Sequence, residues 1–487
     1  MSHHENVLYG SMASVFDPPI WPLLLAVVNL TIALPTAWHV LFHKQSERSA
    51  IIWLALIVFS PFIGSTLYWM FGVNRIRRSA KRAMPSKKPA SLTLADHHQL
   101  SPAIPSHWQA AMRVSRAVHS APFTESNTIN PLINGDEAYP RMLEAIDRAQ
   151  RSILMSSYIF DLDTSGKEFV RALSDAHERG VLVRVLFDAV GIRYSRFATD
   201  QALRKAGVRT ARFLPPISIK GTRFINLRNH RKLLCVDSEI AFTGGMNICH
   251  GNMLCDSPRH PIRDIHFEAK GPVIDQLTAL FSDDWRFASG ESLAIQPRQA
   301  RQTTGNVTSR VLVDGPDENY KKLEWVLIGA INASRHNIRI ITPYFLPGQI
   351  ITHALRGASL RGVQVEILIP SRCNIPIFDW AMRATFKPLL EYGIKLYRSQ
   401  PPFDHTKIFT ADDAWSLVGS SNWDARSLEL NFEANLECYD PHLCGQLNEI
   451  FEERKQAAEQ ILMWPPKGYP SLWRARDRIT WLFSPYL

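Results

Sequence analysis

The sequence is poor in the residue spacings that hold metal ions or disulfide frameworks. Its six cysteines include no CxxC pair, and its 17 histidines include no HxH or HExxH motif. Zinc sites and small disulfide-stabilised domains depend on such spacings. The sequence therefore predicts reduced, mostly buried cysteines and a functional site that holds neither a metal ion nor another cofactor.

Charged residues are absent from two long stretches near the N-terminus. Residues 20–42 and 50–72 contain no Asp, Glu, Lys or Arg, and each stretch has 23 residues. A helix of that length measures about 35 Å and can cross a bilayer. The first stretch is too long for a signal peptide and no basic segment precedes it. We expect an N-terminal two-helix transmembrane hairpin, with a pair of buried core helices as the alternative.

Basic residues are concentrated after the second stretch. Residues 75–88 contain seven Lys or Arg, whereas the loop between the stretches has only Lys44 and Arg48. The positive-inside rule then places both ends of the hairpin in the cytoplasm, as in a multi-pass protein of the cell inner membrane. A re-entrant helix pair would satisfy the same charges. The net charge of +10 favours anionic partners.

The rest of the chain reads as two similar halves. Residues 144–160 and 329–345 each combine a helix end with an apolar, strand-like run, and residues 179–188 and 361–370 repeat a glycine followed by β-branched residues. Helices that alternate with strands predict an α/β sandwich in each half. We expect this organisation: 1–83 membrane hairpin and basic flank, 84–106 linker, 107–290 first half, 291–308 linker, 309–463 second half, 464–487 C-terminal interfacial segment.

A spaced set of polar residues occurs once in each half. The segments NHRKLLCVD (229–237) and DHTKIFTAD (404–412) share a His, a Lys two residues later and an Asp five residues after that. The same offset of 175 relates all members of the set, and two patterns in register are hard to obtain by chance. The corresponding residues are His230 and His405, Lys232 and Lys407, Asp237 and Asp412, Asn247 and Asn422.

This set of side chains suits the chemistry of a phosphodiester. Residues two apart in a strand share a face, so each His lies beside its Lys. If the halves pack about a pseudo-twofold axis, one pocket gathers both sets. Lys and Asn would neutralise the phosphoryl oxygens, one neutral His would attack phosphorus, and the other, protonated, would donate to the leaving oxygen. Two lysines would also repel a metal ion.

A nucleophilic histidine needs a partner for its second ring nitrogen. Aligning RDIHFEAKGP with NFEANLECYDP pairs Asp264 with Glu433, which we predict to be the orienting carboxylates. Glu268 and Glu437 pair in the same alignment and are the second choice. Asp237 and Asp412 follow the motif strand at a turn, where a structural role and a catalytic role are equally well supported.

The doubled HxKxxxxD motif, each followed by GGxN or GSxN, resembles the phospholipase D superfamily. The apolar hairpin, the segments NHRKLLCVDSEIAFTGGMNI and GSSNWDARSLELNFEANLE, and the terminal LFSPYL are similar to its bacterial cardiolipin synthase branch. This resemblance implies metal-free phosphatidyl transfer through a phosphatidyl-histidine. It implies that cardiolipin is made from two phosphatidylglycerol molecules with release of glycerol. It gives the nucleophilic role to His230 and the acid/base role to His405.

Other functions use the same site. The segment CDSPRHPIRDIHFEAKGP departs from the branch pattern and leaves the acceptor open, with phosphatidylethanolamine, glycerol or another alcohol as alternatives. A hydrolase would differ only in using water. A nuclease and a membrane scaffold with an inactive domain are further alternatives. We expect phospholipid and membrane partners rather than nucleic acid, because the hairpin would hold the pocket at a lipid surface.

The C-terminal segment, residues 464–487, has aromatic residues interleaved with arginines. This composition is typical of a helix that rests on an anionic membrane surface. The alternative is a helix packed on the catalytic part.

Overall fold

The computed structural model describes residues 20–44, 47–72, 104–195, 198–214, 227–295 and 305–484. The chain forms two compact units, Met1–Arg78 and Ser79–Leu487. The predicted basic flank at 73–83 and nearly all of the linker predicted at 84–106 lie outside the described residues.

The first unit contains one helix long enough to cross a bilayer. Helix α1 (Ile20–His43) has 24 residues, about 36 Å of helix. Among the described residues, only its segment Pro22–His43 has both the length and the apolar composition of a membrane span. The remaining elements of the unit are α2 (Glu47–Phe59), α3 (Pro61–Leu67) and a π-helical turn (Tyr68–Gly72).

The second apolar stretch is a broken helix, which differs from the expected uninterrupted span. Helix α2 ends at Phe59, and Ser60 leaves helical geometry with φ −147° before α3 begins at Pro61. Proline has no amide hydrogen and its ring collides with the carbonyl four residues earlier, so a helix rarely continues through it. Val40, Ile57 and Tyr68 form a small buried cluster that packs the pieces against α1.

The second unit contains both halves. The elements of the first half, with the helix that precedes it, are α4 (Trp108–Val118), β1 (Thr124–Ile133), α5 (Asn134–Arg148), β2 (Ser152–Ser157), α6 (Thr164–Glu178), β3 (Leu182–Asp188), α7 (Ala198–Lys205), β4 (Arg209–Phe213), β5 (Arg228–Asn229), β6 (Leu233–Val236), β7 (Ile240–Gly244), β8 (Ile262–Arg263), β9 (Ile265–Lys270) and α8 (Val273–Ser289).

The second half repeats the pattern and adds a C-terminal helix. Its elements are β10 (Val307–Asp314), α9 (Lys322–Ala333), β11 (Asn337–Ile341), β12 (Phe345–Leu346), α10 (Gln349–Leu360), β13 (Gln364–Pro370), α11 (Pro376–Leu390), β14 (Lys395–Ser399), β15 (Phe403–Asp404), β16 (Ile408–Ala411), β17 (Trp415–Gly419), β18 (Trp423–Asp424), α12 (Ala425–Glu429), β19 (Asn431–Tyr439), α13 (Pro441–Gln456), β20 (Glu459–Ile461) and α14 (Ser471–Leu482).

One sheet runs through both halves without interruption. Its order is β20-β14-β13-β11-β16-β17-β19-β10-β1-β9-β7-β6-β2-β3-β4. The order outward from β1 (β9, β7, β6, β2, β3, β4) matches the order outward from β10 (β19, β17, β16, β11, β13, β14), as a pseudo-twofold axis between them requires. Strands β1 and β10 pair antiparallel and form the seam. The expected tandem α/β halves are confirmed.

Two helices at the ends of the unit pack on the second half. Trp108 of α4, placed in the first half by the sequence, stacks on Trp415 of β17 with ring centroids 5.8 Å apart, inside the core of the second half. Helix α14 packs on α11, where Asp477 is buried and accepts a hydrogen bond from Tyr469. Its opposite face leaves Leu472 and Leu482 exposed.

Candidate active site

Both motif histidines lie where the two halves exchange short strands. His230 follows β5, which pairs with β19 of the second half, and His405 follows β15, which pairs with β8 of the first half. Each backbone is fixed across this exchange: the His230 N–H donates to the carbonyl of Phe432 at 2.9 Å, and the His405 N–H donates to that of Arg263 at 2.7 Å.

Because the halves exchange short strands, each motif histidine is paired with a carboxylate of the other half. His230 Nδ1 lies 3.0 Å from both carboxylate oxygens of Glu433. His405 Nδ1 lies 2.8 Å from Oδ2 of Asp264. Each imidazole therefore donates to a carboxylate of the other half, and Nε2 is the ring nitrogen left for chemistry in both.

The two carboxylates are held differently. Glu433 accepts hydrogen bonds from the hydroxyls of Ser420 and Ser427 and from the Asn431 amide, in addition to the imidazole. Asp264 accepts the backbone N–H of Ile265 at 2.8 Å. Both side chains are buried, and nearby cations together with these hydrogen bonds hold both carboxyl pKa values below their ordinary range, against the effect of burial.

The motif lysines lie beside the histidine backbones. Lys232 Nζ donates to the carbonyl of His230 at 2.8 Å, and Lys407 Nζ donates to that of His405. Burial lowers the pKa of Lys232 to about 7, with a further contribution from the positive charge of Lys407, and burial lowers the pKa of Lys407 to about 8, despite the attraction of Glu433 and Asp264. Cations held this way are poised to bind an anion, because an added negative charge restores their full protonation.

Both imidazoles are neutral in the empty pocket at neutral pH. Burial and the positive charge of Lys407 lower the pKa of His405 to about 4, although the charge and the hydrogen bond of Asp264 oppose the shift. Burial also lowers the pKa of His230, but Glu433 opposes that shift more strongly than Lys232 adds to it. A neutral Nε2 has the lone pair that a nucleophile needs.

A pocket of about 600 Å³ joins the two sets of residues. His230, His405, Asn247 and Asn422 all line it, as does Asp264. Asn247 is fixed by accepting the Ile159 backbone N–H at 3.2 Å. The structure thus brings together the two histidines, lysines, asparagines and orienting carboxylates named from the sequence.

The motif aspartates lie outside the pocket. Asp237 follows β6, at the end of that strand away from Lys232, and accepts the backbone N–H groups of residues 150, 151 and 152. Asp412 accepts those of residues 335, 336 and 337 and also contacts His107. Of the two roles considered for these aspartates, the geometry fits the structural one and not the catalytic one.

The second-choice carboxylates are also outside the pocket. Glu268 pairs with Arg141 at 2.9 Å, and Glu437 is buried against Arg310 at 2.9 Å. Across the described ranges, no three His, Cys, Asp or Glu side chains are grouped so that they could hold a metal ion.

Several side chains around the pocket were not identified from the sequence. Ser420 could have been found, because it stands in register with Gly245 where the two turns differ. The other residues that sequence reasoning missed are Tyr158, Arg228, Arg426, Ser427 and Asn431, all lining the pocket. They stand outside the repeated motif, so no repeat marks them.

Known proteins are similar to this chain in sequence. A family model described as the phospholipase D-like domain of cardiolipin synthase matches residues 142–285 and 327–455, and one described as a phospholipase D-nuclease N-terminal region matches residues 31–72. The chain is 30% identical to cardiolipin synthase 1 of Bacillus anthracis over 94% of this chain and 91% of that protein. It is 29% identical to cardiolipin synthase A of Pseudomonas putida over 97% and 99%.

A solved structure supports the fold. The phosphatidylserine synthase of Haemophilus influenzae superposes with a TM-score of 0.61 at 16% identity, over 77% of this chain and all of that one. The tandem halves, the contact of each histidine with a carboxylate of the other half, and the sequence relatives all indicate the same family. The chain belongs to the phospholipase D superfamily and, within it, to the cardiolipin synthase branch of phosphatidyltransferases.

Proposed function

We propose that this protein makes cardiolipin from two phosphatidylglycerol molecules and releases glycerol, through a phosphatidyl-histidine intermediate. The observation that carries this proposal is the pair of crossed imidazole–carboxylate contacts, His230 with Glu433 and His405 with Asp264, on one pocket. The volume of this pocket suits the phosphoryl and glycerol groups of a phospholipid, while the acyl chains would stay outside the pocket.

The first step is attack by one imidazole on the phosphorus of phosphatidylglycerol. A bond forms between Nε2 and phosphorus, and the bond from phosphorus to the glycerol oxygen breaks. The second imidazole, which must be protonated on Nε2 once the phosphodiester anion is bound, gives that oxygen its proton. In the second step that imidazole takes a proton from a hydroxyl of another phosphatidylglycerol, the alkoxide attacks phosphorus, and the histidine is released.

The lysines and asparagines stabilise the charge that moves between these steps. Lys232 and Lys407 each lie beside a motif histidine and have lowered pKa values, so a phosphodiester anion would draw both into the protonated form. Asn247 and Asn422 line the same pocket and can donate to the non-bridging oxygens.

The orienting carboxylates fix which ring nitrogen reacts. A carboxylate that accepts from Nδ1 holds the imidazole in one tautomer and stabilises its positive charge when it forms. The resemblance assigns attack to His230. The low pKa of His405 keeps that imidazole neutral as well, so its Nε2 also has a lone pair.

We further propose that α1 anchors the protein in the cell inner membrane, with the catalytic unit on the cytoplasmic side. The length and composition of Pro22–His43 support the anchor, and the basic residues at 75–88 support the orientation.

Purified full-length protein in mixed micelles with phosphatidylglycerol alone tests the reaction. A chelator is present, and mass spectrometry follows lipids and glycerol. We expect one glycerol per cardiolipin, and no product from His230→Ala or His405→Ala. Phosphatidic acid in place of cardiolipin would mean a hydrolase. Product only after addition of phosphatidylethanolamine or another alcohol would change the acceptor, and no turnover with any lipid would contradict the proposal.

A further inference from the structure

Helix α14 exposes a row of apolar side chains. Leu472, Ile479, Leu482 and Phe483 are each more than half exposed, with values from 53% to 77%. Positions 472, 475, 479 and 482 follow one another at spacings of three and four residues, so the exposed Ala475 completes one continuous row along the helix. Exposed patches of large apolar side chains mark surfaces that contact a partner or a lipid.

The side of α14 that faces the protein carries buried polar groups. Asp477 and Thr480 are buried there, beside the partly buried Trp481. Asp477 accepts hydrogen bonds from Tyr469 at 2.6 Å and from Arg476 at 2.7 Å. A surface helix of a soluble protein usually has its apolar side on the core and its polar side in water. Specific contacts therefore fix α14 in a reversed orientation, which leaves the apolar row uncovered by the described part of the chain.

Basic residues flank the apolar row. Arg474 and Arg478 are exposed and lie four residues apart along one edge of the row, and Lys467 is exposed just before the helix. Residues 462–483 include one acidic residue, Asp477, and its side chain is buried. Apolar side chains bordered by exposed cations are complementary to an anionic membrane surface. A second copy of the chain fits less well, because a twofold contact would bring the same arginines of both copies to one interface.

The apolar row lies near the rim of the pocket. The chain packs along α11, where Arg383 donates to the Tyr469 hydroxyl at 3.3 Å and the Arg476 guanidinium lies 4.6 Å from the centroid of the Trp380 ring. These contacts advance towards the start of α11. Trp380 lies five residues after Ile375, about 8 Å along a helix. Ile375 lines the pocket and is itself exposed, so the row and the pocket rim occupy neighbouring parts of the surface.

We propose that the apolar row of α14 rests on an anionic bilayer surface and holds the rim of the pocket at the lipid headgroups. This contact is separate from the membrane anchor proposed for α1. The headgroup of a lipid would enter the pocket past Ile375 while its acyl chains stay in the bilayer. The contact itself does not depend on the proposed reaction, whereas its effect on turnover rests on the proposed function.

Hydrogen exchange tests the contact. Full-length protein is placed in nanodiscs of phosphatidylcholine alone and in nanodiscs that also contain phosphatidylglycerol, and mass spectrometry follows the amides of residues 471–483. We expect these amides to exchange several-fold more slowly in the discs with phosphatidylglycerol, because the anionic surface holds the row in the bilayer. Arg474→Gln combined with Arg478→Gln should remove most of the difference between the two kinds of disc.

Turnover tests the consequence for catalysis. Phosphatidylglycerol is supplied either within the disc or, to discs of phosphatidylcholine, as a short-chain form that dissolves in water. We expect Ile479→Ser combined with Leu482→Ser to lower cardiolipin formation from the bilayer substrate about tenfold, as loss of a leucine-sized apolar contact would. Formation from the soluble substrate should be nearly unchanged. Leu360→Ser, at a leucine that is 73% exposed at the end of α10, is the matched control and should change neither rate.

The outcomes are distinct. Equal amide exchange in the two kinds of disc overturns the contact with an anionic bilayer. Equal falls of both rates in the α14 variant, or no fall in either, overturn its effect on lipid entry. Slow exchange in both kinds of disc, together with a dimer in analytical ultracentrifugation, would assign the row to a second copy. Absence of turnover by the unmodified protein with either substrate refutes the proposed function instead, and amide exchange still decides the contact.

Discussion

The two halves share their chemistry and differ in the surroundings of that chemistry. Strand order, the histidine–lysine–asparagine set and the crossed contacts are repeated. The carboxylate of one pair is fixed by two hydroxyls and an amide, and that of the other by one backbone N–H. In the reaction that we propose, the repeated part would supply a symmetric pair of acid/base groups, and the unrepeated part would make one of them attack first and the other transfer protons.

The largest expected effect comes from removing either imidazole. His230→Ala and His405→Ala should each lower cardiolipin formation roughly 1,000-fold or more, because nucleophile and acid act as a unit. A phosphatidyl ester of p-nitrophenol needs no proton donor to leave. The variant that keeps the nucleophile should therefore release about one nitrophenol per protein and stop, and mass spectrometry should find the phosphatidyl group on its remaining histidine.

This experiment also decides which histidine is the nucleophile. The resemblance predicts the covalent group on His230. Equal bursts from both variants would contradict unequal roles.

The second-largest effect on activity is expected from neutralising the orienting carboxylates. Glu433→Gln and Asp264→Asn remove the charge that steadies the imidazole of the opposite half, so we expect kcat/KM to fall about 100-fold in each. Steady-state kinetics with thermal unfolding measures this. Glu391→Gln, at a half-exposed glutamate of a surface ion pair, is the control. A loss that follows unfolding alone would count against an orienting role.

Gly245 and Ser420 give a more local comparison. A Cβ at Gly245 would lie 2.8 Å from Asp264 Oδ1 and 3.1 Å from Lys407 Nζ, so Gly245→Ala must displace one of them, and we expect about tenfold lower kcat. Ser420→Ala deletes one of four donors to Glu433, and a net hydrogen bond of about 1 kcal/mol predicts a loss of only about fivefold. A larger loss from Ser420→Ala than from Gly245→Ala would show that the critical difference between the two turns is the Ser420 hydroxyl, and not the close approach of Asp264 and Lys407 to Gly245.

The lysines predict how activity depends on pH. Since the pKa of Lys232 is about 7 and that of Lys407 about 8, raising the pH removes positive charge from the free pocket. We expect kcat/KM to decline as pH rises through 7 to 8. Lys232→Arg keeps its charge at every pH and should move the decline towards 8. A flat profile up to pH 9 would contradict the lowered pKa values.

The smallest effect on turnover is expected from the motif aspartates. Asp237 and Asp412 have φ values of 53° and 50°, a region that asparagine also tolerates. Asp237→Asn and Asp412→Asn keep the backbone conformation but turn one acceptor oxygen of each carboxylate into a donor that faces a backbone N–H. We therefore expect about 1–2 kcal/mol lower unfolding free energy with nearly unchanged kcat at low temperature. Urea unfolding and initial rates measure the two quantities. A large kcat loss in a fully folded variant would restore a catalytic role.

The repeat made much of the site predictable. The offset of 175 identifies which histidines, lysines and asparagines correspond, and the alignment of RDIHFEAKGP with NFEANLECYDP identifies Asp264 and Glu433. Neither alignment indicates that the pairs cross, because crossing depends on β5 pairing with β19 and β15 with β8. Such two-residue strands leave no periodic pattern in a sequence.

Other differences have equally physical reasons. The apolar stretch at 50–72 satisfies a hydropathy criterion throughout. A proline does not by itself predict the break, because α1 continues through Pro35, whereas the second stretch leaves helical geometry at Ser60, before Pro61. Helix α4 precedes the first half in the chain, yet Trp108 finds its apolar partners around Trp415. Chain order does not determine which core a helix joins. Arg228 and Arg426 stand outside the repeat, so only the fold shows that both line the pocket.

The crossed contacts also constrain how this chain can change over generations. The partner of His230 is encoded 203 codons downstream, and that of His405 is encoded 141 codons upstream. A mutation in one repeat is therefore selected through catalysis at the histidine of the other. Exchange of a single repeat between homologous genes succeeds only when the incoming segment carries a compatible carboxylate, so selection acts on the duplicated halves as one inherited unit.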